Sequence, residues 1–327
     1  MKTSVAGTLS CLSAVVCLLP AAASAQSEEP STTAANSDVL LTPWGDPDLQ
    51  GVWDYRSITP LERPRDLGDR EFFTAEEIAQ REAGAARRMD QPPDENTPAN
   101  LVHAQYMTDP GRYVDESGRT SLIVDPPNGR MPEMTDSARE RQAAARANRG
   151  ARNLDQPWLD RAILERCITQ GLPRGILPTL YNNNIQITQA PGTVAITHEM
   201  VHDTRIIPLD GRDFTGIQSY MGESRGHFEG NTLVVETRNF NGEANYRGAG
   251  ENMVLTERYT RVAPDKISFM LTVEDETTWT QPWTVAYTMI PTEGGFYEYA
   301  CHEGNYGLRN ILENLRDELA AGGATGN

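Results

Sequence analysis

The C-terminal half of the chain alternates apolar and polar residues, and this pattern restricts the fold more than any other feature of the sequence. From residue 184 onward, turn residues separate short segments at intervals of about ten residues. The odd positions from 267 to 273 are all apolar, as are Trp283, Val285, Tyr287 and Met289. A period of two places one set of side chains on one face of a strand. About eight strands are expected, enough to close a small barrel. The sequence therefore predicts a mainly β fold, with an antiparallel β-barrel or sandwich at residues 184–310.

The first 25 residues have the organisation of a secretory signal peptide. Lys2 is followed by a mostly apolar run and by the small-residue stretch "AAASA" before Gln26. Residues 26–41 are small and polar and predict a disordered leader. Nothing later in the sequence approaches the roughly 20 consecutive apolar residues of a membrane span. We therefore expect an exported protein, periplasmic or secreted, that has no membrane partner.

Between the leader and the barrel, residues 42–183 predict an irregular segment with a first strand. Two capping boxes, Thr74 with Glu77 and Ser137 with Glu140, indicate the N-termini of two helices. Asp155 is a candidate cap for a further helix. The sequence thus predicts three helices here, at about residues 74–89, 137–148 and 157–169. It also predicts a helix or tail at the C-terminus, residues 311–327.

The charge balance and the cysteines restrict the partners and the compartment. The chain has 29 Lys and Arg against 46 Asp and Glu, for a net charge of −17. This balance gives no electrostatic footprint for nucleic acid or for an anionic membrane. Cys167 and Cys301 are the two cysteines that follow the expected signal peptide. In an oxidising compartment such a pair most simply forms one disulfide, and two unrelated buried thiols are the alternative.

Residues 198–202 read His-Glu-Met-Val-His, which has the H-E-x-x-H spacing of zinc proteases. That motif needs a helix, which places residues four apart on one face, about 6 Å apart along the axis. The flanking residues are β-branched and bounded by Pro-Gly and Asp-Gly pairs, which predict strands and hairpin turns. On a strand His198 and His202 stand about 13 Å apart at the backbone. Zinc–nitrogen bonds of about 2.1 Å disfavour shared ligation over that separation, so we expect neither a metal nor an organic cofactor.

The strand interpretation places His198, Met200 and His202 on the apolar face of this segment, pointing into the barrel. Burial there would keep His202 neutral and able to accept a proton near pH 7. Each histidine could equally be a hydrogen-bonded core residue. A bulge within the segment would shift the parity and exchange the two faces.

Glu257 lies between Leu255 and Tyr259 on one face of a predicted strand. We expect a carboxylate that points into an apolar interior, has a raised pKa and can act as a general acid or base. The alternative is an edge-strand residue that faces water.

The stretch "FYEYACHEGNYG", residues 296–307, is the densest collection of functional groups in the chain. It is expected to end a strand and to continue into a loop around Gly304, where rigid scaffolds commonly present reactive side chains. A disulfide-anchored closure of the barrel with tyrosines in the core is the alternative. The candidate proton-handling groups of the whole chain are His202, Glu257, Tyr299 and His302, and the candidate substrate contacts are His198, Met200, Trp283, Tyr287, Tyr297, Glu303 and Tyr306.

Several longer strings resemble a known family. "PWGDPDLQGVW", "DPPNGRMP", "HDTRIIPLDGR", "GESRGHFEGNTLVVET" and "ACHEGNYGL" are similar to strings of a large uncharacterised family of exported bacterial proteins, across residues 43–308. This resemblance implies no reaction, cofactor or catalytic residue. The "GVW" at residues 51–53 is also similar to the Gly-x-Trp that opens many lipocalin-like barrels, and it implies a lipocalin-like form for the predicted barrel.

The leading functional hypothesis is an exported enzyme that acts on an apolar or aromatic small molecule inside the barrel. Its chemistry would be acid–base chemistry, that of a lyase, an isomerase or a hydrolase. The second hypothesis is a non-catalytic protein that binds such a ligand in the same pocket. The third is a metal-dependent hydrolase built from His198, His202 and a distant carboxylate such as Glu223 or Glu229.

Overall fold

The computed structural model describes residues 40–90, 108–147 and 156–320. Within them, ten strands form one antiparallel sheet that closes almost completely into a barrel, and three α-helices accompany it. The mainly β, lipocalin-like fold class is therefore confirmed. The expected signal peptide and most of the expected leader lie outside the described residues, as does the candidate helix cap Asp155.

Two strands from the irregular segment belong to the barrel, which raises the expected eight strands to ten. Neighbouring strands follow the order β5, β4, β3, β1, β10, β9, β8, β7, β6, and β2 pairs with β10 beside this path. The last strand ends at Pro291, well before residue 310. In chain order the strands are β1 Gly51–Asp54, β2 Ile123–Asp125, β3 Asn184–Ala190, β4 Thr193–His198, β5 Thr204–Pro208, β6 Glu223–Glu229, β7 Thr232–Arg238, β8 Val254–Ala263, β9 Lys266–Glu274 and β10 Trp283–Pro291.

Strands β9 and β10 show why the sequence forms this sheet. Phe269 lies opposite Tyr287 and Leu271 lies opposite Val285 in an antiparallel register, and all four side chains are buried. Because successive side chains point to opposite faces, the alternation puts the apolar set into one core while the polar set faces out. The alternation in the sequence is thus the pattern of the barrel interior.

The barrel has a seam between β5 and β6, the two ends of the strand order. Among the described residues no backbone pairing joins these two strands. Side-chain packing joins them instead, because a Cβ added to Gly226 of β6 would lie 2.8 Å from Ile207 Cγ2 and 2.8 Å from Leu209 Cδ2. Only a glycine permits so close an approach. The seam is therefore closed by side chains rather than by the sheet.

The capping box at the first helix is confirmed. The helix α1 is Ala75–Asp90. The Thr74 amide donates to Glu77 Oε2 at 2.9 Å, and the Glu77 amide donates to Thr74 Oγ1 at 3.2 Å. Two otherwise unpaired N–H groups at the helix N-terminus are satisfied in this way.

The other helices depart from expectation. The second helix, α2, is Asp136–Ala147, and its cap is Thr135, whose Oγ1 accepts from the Ala138 amide at 3.1 Å, instead of Ser137. The prediction of a helix at residues 157–169 is wrong, because the only helical element there is a 3₁₀ turn at Pro157–Asp160. Arg161 has an extended backbone (φ −98°, ψ 140°), which ends that turn. The C-terminal helix, α3, is Tyr306–Ala320. No helix of the described residues is long and apolar enough to cross a membrane.

The expected disulfide is confirmed. Cys167 and Cys301 are bonded, with their Cα atoms 5.6 Å apart and 134 residues of separation. The expected strand around residues 297–301 does not form, because β10 ends at Pro291 and residues 294 and 295 are a Gly-Gly pair. The bond therefore ties a non-strand segment, residues 292–305, to the connection between β2 and β3.

Candidate functional site

The connection between β4 and β5 decides where the two histidines of the H-E-x-x-H spacing lie. His198 ends β4, a single 3₁₀ turn follows, and β5 begins at Thr204. Within the turn, Val201 and His202 have φ of 59° and 60°, in the left-handed region. The predicted strands form on both sides of this segment, but the prediction that one strand continues through His202 is wrong, because a turn separates β4 from β5. In this connection no α-helix places the two imidazoles on one face.

The same turn shifts the parity of β5, so the prediction that His202 points into the barrel is wrong. Arg205 and Ile207 are buried in β5, whereas Ile206 is 60% exposed and His202 is exposed. The two left-handed residues shift the alternation by one position, so the residues of β5 that were expected to point inward point outward, as they would after a β-bulge. Arg205 is the side chain that enters the barrel instead.

His198 is the histidine of the interior, and both of its ring nitrogens have partners. Nδ1 lies 2.9 Å from the Gly175 carbonyl oxygen, so it carries the proton, and Nε2 accepts from Arg205 Nε at 3.3 Å. Burial, and then the Arg205 charge, lower the pKa of His198 to about 4. The imidazole is therefore neutral at physiological pH, and its contacts are those of a hydrogen-bonded core residue.

Arg205 and Glu257 form a bidentate ion pair across the barrel interior. Arg205 Nη1 donates to Glu257 Oε1 at 2.6 Å and Nη2 donates to Oε2 at 2.8 Å. The Tyr259 hydroxyl donates to Glu257 Oε2 at 2.6 Å. The pair joins β5 at the seam to β8, and Arg205 Nη1 also lies 3.4 Å from Thr237 Oγ1 of β7.

The prediction that Glu257 is buried is confirmed, but the prediction that its pKa is raised is wrong. Burial alone would raise the pKa of the Glu257 carboxyl, but the charge and hydrogen bonds of Arg205 and the Tyr259 hydroxyl outweigh it and lower the pKa. Glu257 is therefore ionised and already paired. A carboxylate in this state is a poor general acid, because it holds no proton to donate.

Aromatic side chains fill the space beside this pair. The Phe269 ring stacks between Tyr259 and Tyr287, with ring centroids 4.8 Å apart on each side. The Tyr55 hydroxyl donates to the Gly175 carbonyl at 2.9 Å, and the Tyr287 hydroxyl donates to the Ile176 carbonyl. Four of the expected substrate contacts are buried, which leaves their predicted role without access from solvent; they are His198, Met200, Trp283 and Tyr287.

The remaining candidate residues lie on the outside. His202 packs against Phe296, with ring centroids 5.5 Å apart. Tyr299 is half-buried, and burial, followed by its hydrogen bond with Tyr181, raises its pKa. Four further candidates are exposed, and they are Tyr297, His302, Glu303 and Tyr306. The proton-handling groups expected to meet inside the barrel are thus divided, with Glu257 inside and the other three outside.

The carboxylates of the metal-dependent alternative already have partners. Glu223 accepts from the Thr215 amide and from Asn239 Nδ2, at 2.9 and 2.8 Å. Glu229 pairs with Arg258 at 2.5 Å. Across residues 40–90, 108–147 and 156–320, no three His, Cys, Asp or Glu side chains are placed so that they could hold a metal ion.

Three cavities of the described chain lie outside the barrel interior. The α1 cavity, about 770 Å³, lies between α1, residues 109–116 and the paired ends of β1 and β10. The α2 cavity, about 720 Å³, lies between α2 and the glycine-rich residues 242–252. The disulfide cavity, about 430 Å³, is lined by one face of α3 together with His302, Asn305 and Arg166, and it is named for the Cys167–Cys301 bond because Arg166 is next to Cys167 in sequence.

The sequence analysis missed Arg205 and the whole α1 cavity. Arg205 could have been found only by recognising the parity shift in "HEMVHD". The α1 cavity brings together residues from four separate parts of the chain, including Ile78, Asp109 and Ile290. No local spacing connects such positions. Comparisons of the chain with protein-family models, with curated proteins and with solved structures gave no match.

Proposed function

We propose that the protein is an exported small-molecule binding protein whose ligand site is the α1 cavity. The single observation that supports this function is the contrast between a large mixed cavity beside α1 and a barrel interior filled by side chains. A volume of about 770 Å³ falls within the range of about 300 to 1,000 Å³ that is typical of small-molecule sites. The Cys167–Cys301 bond supports export, because disulfides persist in oxidising compartments.

The wall of the α1 cavity combines apolar surface with charged groups. Ile78 and Met89 come from α1, Tyr113 and Val114 from the segment after it, and Ile290 from β10. Ligand sites commonly have such an apolar lining, with a few polar groups that fix the orientation of the ligand. The lining favours a ligand with an apolar or aromatic body.

The charged groups of the same wall favour a ligand that carries a positive charge. Six carboxylates and two arginines line the cavity, and they are Asp54, Glu82, Asp109, Asp115, Glu116, Glu293, Arg56 and Arg112. Arg56 is already paired with Asp54 at 2.6 Å and with Asp109. Glu293 pairs with no described residue, and Glu82 receives only the Val114 amide, at 3.1 Å. A cleft with an excess of carboxylates concentrates cations, and the exposed Tyr113 ring offers a face for them.

Titration calorimetry with two probes of the same shape tests the proposal. Phenylethylamine should bind more tightly than phenylethanol, which lacks the charge. Saturation at about 100 times Kd should stabilise the fold by about 2.7 kcal/mol. Glu82→Gln keeps an oxygen for the Val114 amide but removes the charge, and it should weaken amine binding several-fold.

The matched control is Glu251→Gln in the wall of the α2 cavity, which should leave amine affinity unchanged. Equal affinity for the amine and the alcohol would refute the cation preference. Amine binding that depends on Glu251 and not on Glu82 would move the ligand site to the α2 cavity.

A second candidate function is acid–base catalysis at the place where the β4–β5 turn meets residues 292–305. It is favoured by the exposed His202 imidazole, which is held against Phe296 by two successive non-glycine residues with left-handed φ. Such strained backbone tends to cluster at functional sites. Turnover of a panel of aromatic and terpenoid compounds is the test, with His202→Gln expected to lower the rate by about 100-fold. Unchanged turnover in that variant would remove His202 from the chemistry.

A further inference from the structure

The disulfide cavity has a charge balance opposite to that of the chain. Acidic residues outnumber basic ones by 46 to 29 in the sequence. In the lining of this cavity, three arginines, Arg166, Arg309 and Arg316, accompany one carboxylate, Glu313. A positive cavity on a strongly negative protein calls for a specific explanation.

Two of the three guanidinium groups have no carboxylate partner. Arg309 Nε donates to Glu313 Oε1 at 2.8 Å, one turn along α3. Arg166 and Arg316 form no ion pair with any residue in the described part of the chain. Like charges around one cavity repel each other, and the repulsion falls when an anion lies between them.

The chain holds Arg166 beside α3 by two independent links. The neighbouring residue, Cys167, is bonded to Cys301. Asn305 Nδ2 donates to the Glu165 carbonyl at 2.7 Å, while Asn305 Oδ1 accepts from the Leu308 amide at 3.1 Å and so caps α3. Both residues that flank Arg166 are therefore anchored to the segment that precedes α3, so the backbone of Arg166 is held beside the cavity.

The cavity also has an apolar side and an imidazole. Leu308 and Leu312 of α3 are half-buried in its wall, and His302 lines it as well. A guanidinium recognises a carboxylate through paired N–H donors. We propose that the disulfide cavity binds a small organic carboxylate, with the carboxylate at Arg166 and Arg316 and its apolar body against Leu308 and Leu312. This is a site separate from the α1 cavity, for a ligand of opposite charge.

Titration calorimetry of the oxidised protein with phenylacetate, and with the neutral phenylacetamide of the same shape, tests the proposal. Phenylacetate should bind in a saturable manner, at least ten-fold more tightly than phenylacetamide, and more weakly at high salt. Arg166→Gln should weaken phenylacetate binding at least ten-fold, and Arg316→Gln should weaken it in the same direction. Arg166→Lys, which keeps the charge but loses the paired donors, should weaken it less than Arg166→Gln.

The control for a general loss of positive charge is Arg258→Gln, on β8 outside the cavity, which should leave phenylacetate affinity unchanged. Melting temperatures of all variants show whether each is folded. Absence of saturable phenylacetate binding, or unchanged affinity in folded Arg166→Gln, would overturn the proposal. Glu82→Gln should not alter phenylacetate affinity, so failure here is distinguishable from failure of the proposed function.

Discussion

The barrel interior and the outer segment, residues 292–305, hold their ionisable groups in opposite ways. Inside, Arg205 and Glu257 are almost fully buried and each is paired with the other. Outside, Tyr297 is 71% exposed, and the segment is held by the Cys167–Cys301 bond and by Asn305. A buried charge must be paired, whereas an exposed one is left free to meet a ligand. The difference indicates that the interior pair serves the fold, and it agrees with our proposal that ligands bind outside the barrel.

The interior pair has its own structural task, because it crosses the one gap in the sheet. Arg205 belongs to β5, which forms one side of the seam, and Glu257 belongs to β8, two strands beyond the other side. An unsatisfied charge inside a protein is strongly destabilising. The pair therefore favours the closed arrangement over any opening of the seam that would separate its members.

The largest expected effect comes from the Cys167–Cys301 bond that anchors the outer segment. Replacing Cys167 and Cys301 with serine releases a loop of 134 residues in the unfolded chain. The chain-entropy model gives a loss of about 5 kcal/mol for that length. Urea unfolding of the variant and the oxidised protein measures it, and equal free energies of unfolding would contradict the prediction. Chemical reduction of the unaltered protein should produce the same loss.

Neutralising one member of the interior pair should lower the free energy of unfolding by nearly as much. Glu257→Gln leaves the Arg205 charge buried without a counter-charge, which should lower the free energy of unfolding by about 3–5 kcal/mol. Glu274→Gln, at an exposed position of β9, is the matched control, and we expect it to change stability by less than about 0.5 kcal/mol.

The paired replacement Arg205→Met with Glu257→Leu sharpens the result. Because it removes both charges, it should recover much of the stability lost in Glu257→Gln. If Glu257→Gln were as stable as its control, the interior charges would not be desolvated in solution, and the contrast between the two regions would fail.

The next effect is a dependence of stability on pH that arises from His198. Burial and Arg205 lower its pKa in the folded protein to about 4, from the usual 6.5 of a histidine. Above pH 6.5 neither state binds the proton, so stability is greatest there. Between pH 6.5 and pH 4 only the unfolded state is protonated, and the free energy of unfolding should fall by about 3 kcal/mol in total.

The His198→Gln variant should not show this fall in the free energy of unfolding between pH 6.5 and pH 4. The difference between its pH profile and that of the unaltered protein isolates the contribution of His198. The comparison is needed because Asp203, whose pKa is raised by burial, contributes with the opposite sign. His202→Gln serves as the exposed control and should keep the slope. Parallel profiles for the protein and His198→Gln would show that His198 is accessible to protons in the folded state.

The smallest expected effect is a gain of stability in the turn that exposes His202. Val201 has φ of 59°, a conformation that costs a β-branched residue about 1–3 kcal/mol. Val201→Gly should therefore raise the free energy of unfolding by about 1 kcal/mol. Val254→Gly, at a paired position of strand β8, is the control, which should be destabilising because glycine weakens a strand. A loss of stability in Val201→Gly would mean that the turn is not strained as the structure describes.

The sequence by itself determined the barrel, because a period of two is a local property that survives wherever a strand continues without interruption. Leu255, Glu257 and Tyr259 illustrate this, since all three were expected on one face of β8 and all three are buried. The helix of residues 75–90 could also be predicted from the sequence, because its capping box lies within four consecutive residues. The disulfide followed from the number of cysteines and from the expected compartment.

Only the tertiary structure decided which groups meet. The left-handed turn at Val201 and His202 inverted the parity of β5 and exchanged His202 for Arg205 inside the barrel. The arrival of Arg205 then reversed the direction of the Glu257 pKa shift, from the rise that burial alone would cause to a fall. The α1 and disulfide cavities depend on contacts between residues more than 100 positions apart, such as the bond from Cys167 to Cys301. Periodicity and spacing encode the neighbours of a residue along its own strand or helix, and the side chain that approaches from another strand is fixed only when the sheet closes.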